Sequence, residues 1–408
     1  MMDMKTKEAI KRIEMAEKNR ATINIVEDKA YYFLHQKDEA PRSMEIVPHN
    51  SEAATALSAT FLAHMGYENE MVNIGQTGRE KYGESFVNEK TQRFDLGLHE
   101  WDRIGYESGP IRFKINAIAH ANTSTKFKVK ANGQDVGDIS IGTVSNSYSF
   151  ANEGNLDKTI ALDTENGLTV SITHEGTADL ARLNYIIVEG RRKFEQPYTY
   201  TSFRDAEAQG FNLGTADSTL QVWDVTSATD VKLQQLSATG TFAQPQDGKL
   251  HEYIWVNTES PDIHSVIKAE RVVNQNLHAL PYHDFVIVTA PAYFYEAQRL
   301  AEYRQAHDGL SSIVITPQQI YNEFSSGGQD VTAIRLLMRK MKPRYLLLFG
   351  DGHYDNQKIN RQYMLPSYET ENALAETSSC TCDDYFGFID DGEGGKTDSQ
   401  GRYNPNSR

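Results

Sequence analysis

The stretch that decides the fold is Tyr345-Leu-Leu-Leu-Phe-Gly-Asp-Gly-His-Tyr-Asp-Asn356, an apolar run that stops abruptly at Gly350 and Asp351. A continuous apolar run of this length predicts a strand covered on both faces, as in the parallel sheets of α/β domains. Ligands of such sheets bind beyond the carboxyl ends of the strands. Asp351 and His353 follow the strand directly, which makes both of them candidates for a functional cleft.

Two further apolar strands are predicted upstream, over residues 284–289 and 312–316. A helix is predicted between them over residues 292–307, and Asp330 is predicted to cap a later helix. Apolar strands alternating with helices in this way are typical of successive βαβ units. Residues 275–408 are therefore predicted to form the first part of an α/β domain with a parallel sheet.

The region before this domain, residues 76–272, is predicted to be a β-sandwich region of one or two modules. Apolar and polar residues alternate over 111–115 and again over 126–130, as expected of half-buried strands. Asn132-Gly133 supplies two residues that tolerate positive φ, which predicts a tight hairpin. The fold class is thus multidomain, with a β-sandwich-type region followed by an incomplete α/β domain.

The leading segment, residues 1–75, is predicted to carry short helices, over 5–19 and 51–65. Its first ten residues lack the continuous apolar core of a signal peptide. No run of about 18 apolar residues occurs anywhere in the chain, so no membrane-spanning helix is predicted.

Charge and cysteine content narrow the function classes. The chain of 408 residues has 41 Lys and Arg against 56 Asp and Glu, a formal charge of −15. A nucleic-acid partner is not expected, because such a surface needs a basic face. Cys380 and Cys382 are the only cysteines, which excludes a disulfide framework.

Several long motifs resemble the gingipain-type (C25) cysteine peptidases, and within them the PorU-type sortases of the bacterial type IX secretion system. The motifs are Asp308-Gly-Leu310, Thr316-Pro-Gln-Gln-Ile-Tyr-Asn-Glu-Phe-Ser-Ser326, Met364-Leu-Pro-Ser-Tyr-Glu-Thr-Glu-Asn372 and Asp383-Asp-Tyr-Phe-Gly387. The resemblance implies a caspase-like domain in which a Cys thiolate attacks a peptide carbonyl and a nearby His moves protons.

For a sortase of this type, the resemblance further implies the substrate and the location. The substrate would be the C-terminal signal domain of secreted cargo, cut at the cell surface, and the acceptor would be an anionic lipopolysaccharide. Other type IX secretion components would be partners. An exported protein needs a signal that this N-terminus lacks, so we expect an upstream start or an incomplete gene model.

The family places its nucleophilic Cys and its Gly-His-Gly histidine after the motifs found here. We therefore expect both beyond Arg408, no catalytic residue within this chain, and no peptidase activity of the chain alone. Asp351, His353, Asp383 and Asp384 are then candidates for residues that support the cleft.

The acidic, cysteine-containing end of the chain raises two further alternatives, a cysteine nucleophile and a metal site. Asp383 and Asp384 would raise rather than lower the pKa of the neighbouring thiols, so Cys380 and Cys382 are interpreted as incidental. A Cys-x-Cys metal site would need further ligands, and no metal or cofactor is predicted. Structural calcium is the lesser alternative, at a carboxylate-rich patch formed by Asp355, Asp390, Asp391 and Glu393.

A hypothesis from a different class is a non-catalytic protein, in which a β-sandwich binds glycan or protein beside a degenerate α/β domain. Its ligand platform would be the three tryptophans, Trp101, Trp223 and Trp255. Tryptophans are more often part of a core, because large aromatic side chains dominate burial.

Overall fold

The computed structural model describes residues 31–33, 43–96, 106–165, 167–260 and 270–390. The helix expected over 5–19 lies outside these ranges. Fifteen strands precede the α/β segment. They are β1 (Glu45–Val47), β2 (Thr60–Glu68), β3 (Thr91–Leu96), β4 (Gly109–His120), β5 (Thr125–Ala131), β6 (Gln134–Ile141), β7 (Asn152–Leu162), β8 (Leu168–Glu175), β9 (Leu180–Lys193), β10 (Tyr200–Arg204), β11 (Gly210–Asn212), β12 (Leu220–Asp224), β13 (Lys232–Gln234), β14 (Thr241–Ala243) and β15 (Glu252–Asn257).

The first sandwich consists of two four-stranded antiparallel sheets, with strand orders β2-β9-β4-β7 and β3-β8-β5-β6. Alternation of side chains places Phe127 and Val129 of β5 in its core, where both are fully buried. The hairpin predicted at Asn132-Gly133 is confirmed, because these residues connect β5 to β6 with φ of 47° and 83°.

The second β unit is a five-stranded sheet, β1-β13-β12-β15-β10, with a two-stranded sheet formed by β11 and β14. Phe194, just after β9, joins its core to that of the first sandwich. The ring centroid of Phe194 lies 4.9 Å from those of Phe61 and Phe203, and 6.2 Å from that of Trp255. The two β units therefore share one continuous hydrophobic core.

The helix expected over 51–65 is wrong. Only Ser51–Ala53 forms a single 3-10 turn, and β2 begins at Thr60. Phe61 and Ala63 alternate with more exposed neighbours and are buried in the sandwich core. Pairing of β2 with β9 satisfies the backbone and buries these side chains, which overrides the local helical preference.

The α/β segment has the predicted order of strands and helices. It consists of β16 (Phe285–Thr289), α1 (Phe294–Asp308), β17 (Ser312–Ile315), α2 (Pro317–Phe324), α3 (Val331–Met341) and β18 (Tyr345–Phe349). The three strands are parallel in the order β17-β16-β18. Within the described residues, no helix is long and apolar enough to cross a membrane.

Helices cover both faces of β16, which is fully buried as the apolar strands predicted, but β18 at the edge of the sheet is only half-buried and its Tyr345 is exposed. Ile287 packs with Ala297 and Ala301 of α1 on one face, whereas Val286 and Val288 pack with the side chains of α2 and α3 on the other. The predicted cap is also confirmed, because the carboxylate of Asp330 accepts a hydrogen bond from the N–H of Thr332 at 2.8 Å.

Candidate functional site

The carboxyl end of β18 is the centre of the candidate site. Asp351 lies directly beyond this end, as predicted, and its side chain is exposed. Its Oδ1 accepts a hydrogen bond from the N–H of Gly352 at 2.8 Å, and its backbone oxygen accepts one from Leu365 at 2.8 Å. The local bonds fix the backbone but leave the carboxylate open to a ligand or to a further part of the site.

The glycines on either side of Asp351 lie where neighbouring side chains leave little room for a Cβ. Neither Gly350 nor Gly352 adopts a positive φ. A Cβ on Gly352 would lie 2.3 Å from Oγ of Ser367, and one on Gly350 would lie 3.2 Å from a side-chain carbon of Leu365. A side chain at either position would therefore collide with the side chains of Leu365 and Ser367, which pack against the strand end.

His353 has a local structural role in this structure. The N–H of Asp355 donates to its Nδ1 at 2.9 Å, and its ring stacks on Tyr354 with centroids 4.5 Å apart. The ring is half-buried. An Nδ1 that accepts this bond leaves Nε2 as the protonated nitrogen in the neutral ring.

Asp383 and Asp384 lie on a separate segment, the 3-10 helix Asp383–Gly387. Both are exposed, and together with Leu346, Leu347 and Leu348 of β18 they line a cleft of about 660 Å³. The cleft follows the outer side of β18, which within the described residues pairs only with β16. The acidic pair and the strand-end loop of Asp351 therefore flank β18 from two directions.

Glu369 is a residue that the sequence analysis did not single out. Its side chain is only 4% exposed. Oε1 accepts a hydrogen bond from the hydroxyl of Thr381 at 2.7 Å, and Oε2 accepts one from the N–H of Gly78 at 3.1 Å. Burial raises the pKa of Glu369, an effect that these hydrogen bonds and the charge of His353 oppose. Its only sequence signal was its place in the 364–372 motif.

Asp355 is also buried, and two lysines neutralise it. Nζ of Lys81 lies 3.0 Å from its Oδ1, and Nζ of Lys358 lies 3.1 Å from its Oδ2. Burial opposes ionisation of Asp355, but the hydrogen bonds from the two ammonium groups lower its pKa overall. The two lysines therefore neutralise the charge of Asp355, so its carboxylate is a poor ligand for a structural calcium ion.

The other members of the proposed calcium patch give it no support. Asp390 is exposed, and Asp391 and Glu393 lie outside the described residues. Within the described ranges, no three His, Cys, Asp or Glu side chains are grouped as a metal site would require.

The environment of the Cys380 thiol disfavours its thiolate form. Burial raises the pKa of Cys380, and Cys382 and Glu369 add to that effect. Cys380 is exposed and Cys382 is half-buried. A reactive thiolate needs a lowered pKa, and the pKa of Cys380 is shifted in the opposite direction.

The tryptophan platform of the binding-protein hypothesis is not formed by Trp255, which is fully buried in the shared core. Trp223 is half-buried, and its Nε1 donates to the side chain of Gln221 at 3.0 Å. Trp101 lies outside the described residues.

The sequence model of Peptidase family C25 matches residues 278–405, which include β16 to β18, the strand-end loop and the acidic pair. These residues match the C25 peptidases, and we call them the C25 segment. The match begins shortly before β16 and continues beyond β18, so the C25 segment contains the whole α/β segment.

A solved structure extends the likeness to the β units. It is dimeric latent PorU from Porphyromonas gingivalis, which aligns with a TM-score of 0.74 at 26% identity over 86% of this chain. The chain spans 36% of the length of that PorU chain. The chain is thus similar to PorU over both β units and the C25 segment. No curated protein sequence matches the chain.

Other solved structures match only parts of the chain. A family 35 carbohydrate-binding module from Clostridium thermocellum aligns at 16% identity with a TM-score of 0.21, over 32% of this chain and 98% of its own. The Eiger TNF protein from S. frugiperda aligns at 8% identity with a TM-score of 0.21, over 33% and 93% respectively. Scores this low support no argument about function.

Proposed function

We propose that this chain is the β-sandwich region and the first part of the peptidase domain of a type IX secretion sortase. The observation that carries the proposal is the joint arrangement of both β units and the C25 segment, which aligns with PorU over 86% of the chain. A likeness of the C25 segment alone would support a cysteine peptidase without pointing to this type.

In the proposed reaction, a cysteine thiolate attacks the peptide bond before the C-terminal signal of a secreted cargo protein. The carbonyl carbon forms a thioester, the signal leaves as an amine, and an amine of a cell-surface lipopolysaccharide then displaces the thiolate. The partners would be cargo with such signals and other type IX secretion components. The location would be the cell surface, associated with the outer membrane.

In this proposal the nucleophile and its histidine would come from sequence after the motifs found here, as the resemblance implies. The raised pKa of the Cys380 thiol supports this placement, because a thiol that resists ionisation is a weak nucleophile. Asp351, His353, Asp383 and Asp384 would then shape or polarise the cleft without making or breaking a bond. The 408-residue chain alone would be inactive.

The test compares the 408-residue chain with a longer polypeptide encoded by the same gene. Peptides that end in a C-terminal signal sequence should be cleaved only by the longer polypeptide, and Cys→Ala at its downstream cysteine should abolish cleavage. Cys380→Ser in the longer polypeptide is the matched control and should leave cleavage unchanged.

Two results would contradict the proposal. One is cleavage by the 408-residue chain that disappears in Cys380→Ser or Cys382→Ser. The other is a gene that encodes no downstream Gly-His-Gly and no cysteine after a further apolar strand. The second result would favour the non-catalytic binding protein, although burial of Trp255 weakens the platform first considered for it.

A further inference from the structure

The first sandwich and the C25 segment meet at a loop between β2 and β3, residues 72–82, which we call the docking loop. Its ends are tied together, because Val72 and Tyr82 exchange both backbone hydrogen bonds, at 3.1 and 2.8 Å. A compact loop with closed ends is a defined structural unit rather than a loose connection. Tyr82 is fully buried and anchors this unit to the sandwich.

The docking loop binds two successive parts of the C25 segment. The N–H of Gly78 donates to the carboxylate of Glu369 at 3.1 Å, and the N–H of Arg79 donates to the backbone oxygen of Thr370 at 2.8 Å. Nζ of Lys81 donates to Asp355 and to the side chain of Gln357, both at 3.0 Å. These bonds connect the docking loop both to the strand-end loop of β18 and to residues 369–370, where Glu369 forms an isolated β-bridge with Thr381.

Among these contacts, loss of the ion pair between Lys81 and Asp355 should be the most destabilising. The side chains of Lys81 and Asp355 are 9% and 2% exposed. Removing one member of a buried pair leaves a charge in a poorly solvated site, which is far more costly than losing a surface pair. The second lysine at Asp355, Lys358, is 70% exposed and is a weaker counter-charge.

The close fit at Gly78 supports the contact between the docking loop and the C25 segment independently of the ion pair. Gly78 has a φ of 69°, and a Cβ built on it would lie 2.1 Å from the backbone oxygen of Asn372. The loop therefore needs glycine at this position both for its backbone conformation and for its contact with the C25 segment.

We propose that the docking loop is the intramolecular binding surface for residues 355–382 of the C25 segment, with Lys81 as the residue that positions them. The conformation of the strand-end region is then conditional on the first sandwich. This inference concerns the joining of two parts of one chain, so it holds or fails independently of the proposed sortase chemistry.

The two cysteines provide a direct probe. The N–H of Cys382 donates to the backbone oxygen of Tyr368 at 3.0 Å, so the thiol reports on residues 368–370, which the docking loop contacts. In a Cys380→Ser background the half-buried Cys382 is the single thiol of the chain. Its labelling rate with a thiol reagent under native conditions should rise at least tenfold in Lys81→Met.

Lys114→Met is the matched control. Lys114 is 13% exposed and lies 3.2 Å from Glu189 within the first sandwich, so the same substitution removes a similarly buried ammonium elsewhere. It should leave the labelling rate of Cys382 unchanged. Adding Asp355→Asn to Lys81→Met should slow the labelling again, because a neutral amide needs no counter-charge.

Gly78→Ala tests the surface without touching a charge, and Gly248→Ala is its control. Gly248 has a φ of 77°, and a Cβ there meets nothing within 4 Å, so it shares the backbone cost but not the contact. Only Gly78→Ala should accelerate labelling of Cys382. The proposal is overturned if Lys81→Met and Gly78→Ala label no faster than their controls, or if Asp355→Asn gives no rescue.

Discussion

The rings of Tyr368 and Tyr385 stack nearly parallel, with centroids 4.0 Å apart and planes inclined by 9°. The guanidinium carbon of Arg335 lies 5.1 Å from the ring centroid of Tyr385, and Nε of Arg335 donates to the backbone oxygen of Phe388 at 2.7 Å. The acidic residues Asp383 and Asp384 are therefore held beside β18 by the aromatic residue that follows them.

Tyr385→Ala should destabilise the C25 segment by about 3 kcal/mol, the lower end of the range for truncating a large buried aromatic side chain. Tyr385→Phe keeps the stack and loses only the 3.2 Å hydroxyl contact with Thr332, so its cost should stay near 1 kcal/mol. Urea unfolding of both variants measures the difference. Equal losses would show that the hydroxyl, and not the stack, holds this segment.

Asp351→Asn should change the free energy of unfolding by less than about 0.5 kcal/mol, because the side chain is exposed and the amide oxygen can still accept from Gly352. In an active, longer form of the protein it should lower turnover, by up to roughly a hundredfold if the carboxylate orients a reacting group. Asp217→Asn, at an exposed turn of the second β unit, is the control. Unchanged turnover would make Asp351 an ordinary turn residue.

Glu189 should give the first sandwich a pH-dependent stability. Its hydrogen bond with His64 and that from Lys114 outweigh burial and lower its pKa from 4.5 to about 2. A lowered folded-state pKa contributes stability that is complete above the unfolded value and is lost as the pH falls through the folded value. Glu189→Gln should therefore lose less stability than the parent between pH 4.5 and pH 2. Parallel pH profiles, measured by thermal unfolding, would contradict this.

Residues 275–408 expressed alone should aggregate or remain loosely packed. The cut leaves Asp355 without Lys81 and exposes the surface that contacts the docking loop. In addition, β18 has an unpaired edge within the described part of the chain, and such edges promote association. Light scattering and thermal unfolding of this piece and of the whole chain provide the comparison. A monomer with a sharp cooperative transition would refute the expectation.

Local patterns were sufficient to predict the C25 segment. The apolar runs before Thr289 and Gly350 predicted two strands, of which Phe285–Thr289 is fully buried whereas Tyr345–Phe349 is only partly buried at the sheet edge. Asp330 predicted a helix start, because caps and apolar periodicity act over a few residues. The same reasoning failed over 51–65. There the deciding partner of Phe61 is Arg192 on β9, and a local pattern carries no trace of so distant a strand.

The contact between Lys81 and Asp355 could not be predicted from the sequence, for the same reason. Lys81 and Asp355 are separated by 274 positions. A lysine and an aspartate in polar, glycine-containing stretches are ordinarily solvated, so nothing in either stretch marks a buried pair. Likewise, the polar neighbours of Glu369 in the sequence do not indicate that its side chain is buried. Only the resemblance drew attention to its motif.

Because β2 pairs with β9, the sheet that contains them cannot form until long after β2 has been synthesised. β2 ends at Glu68 and its partner ends at Lys193, so the ribosome must add more than a hundred residues before the sheet can close. At roughly 5–20 residues per second, β2 waits on the order of ten seconds, and β1 waits longer for β13. During that time Phe61 has no core to enter, and the nascent chain exposes an apolar strand that a chaperone would need to shield.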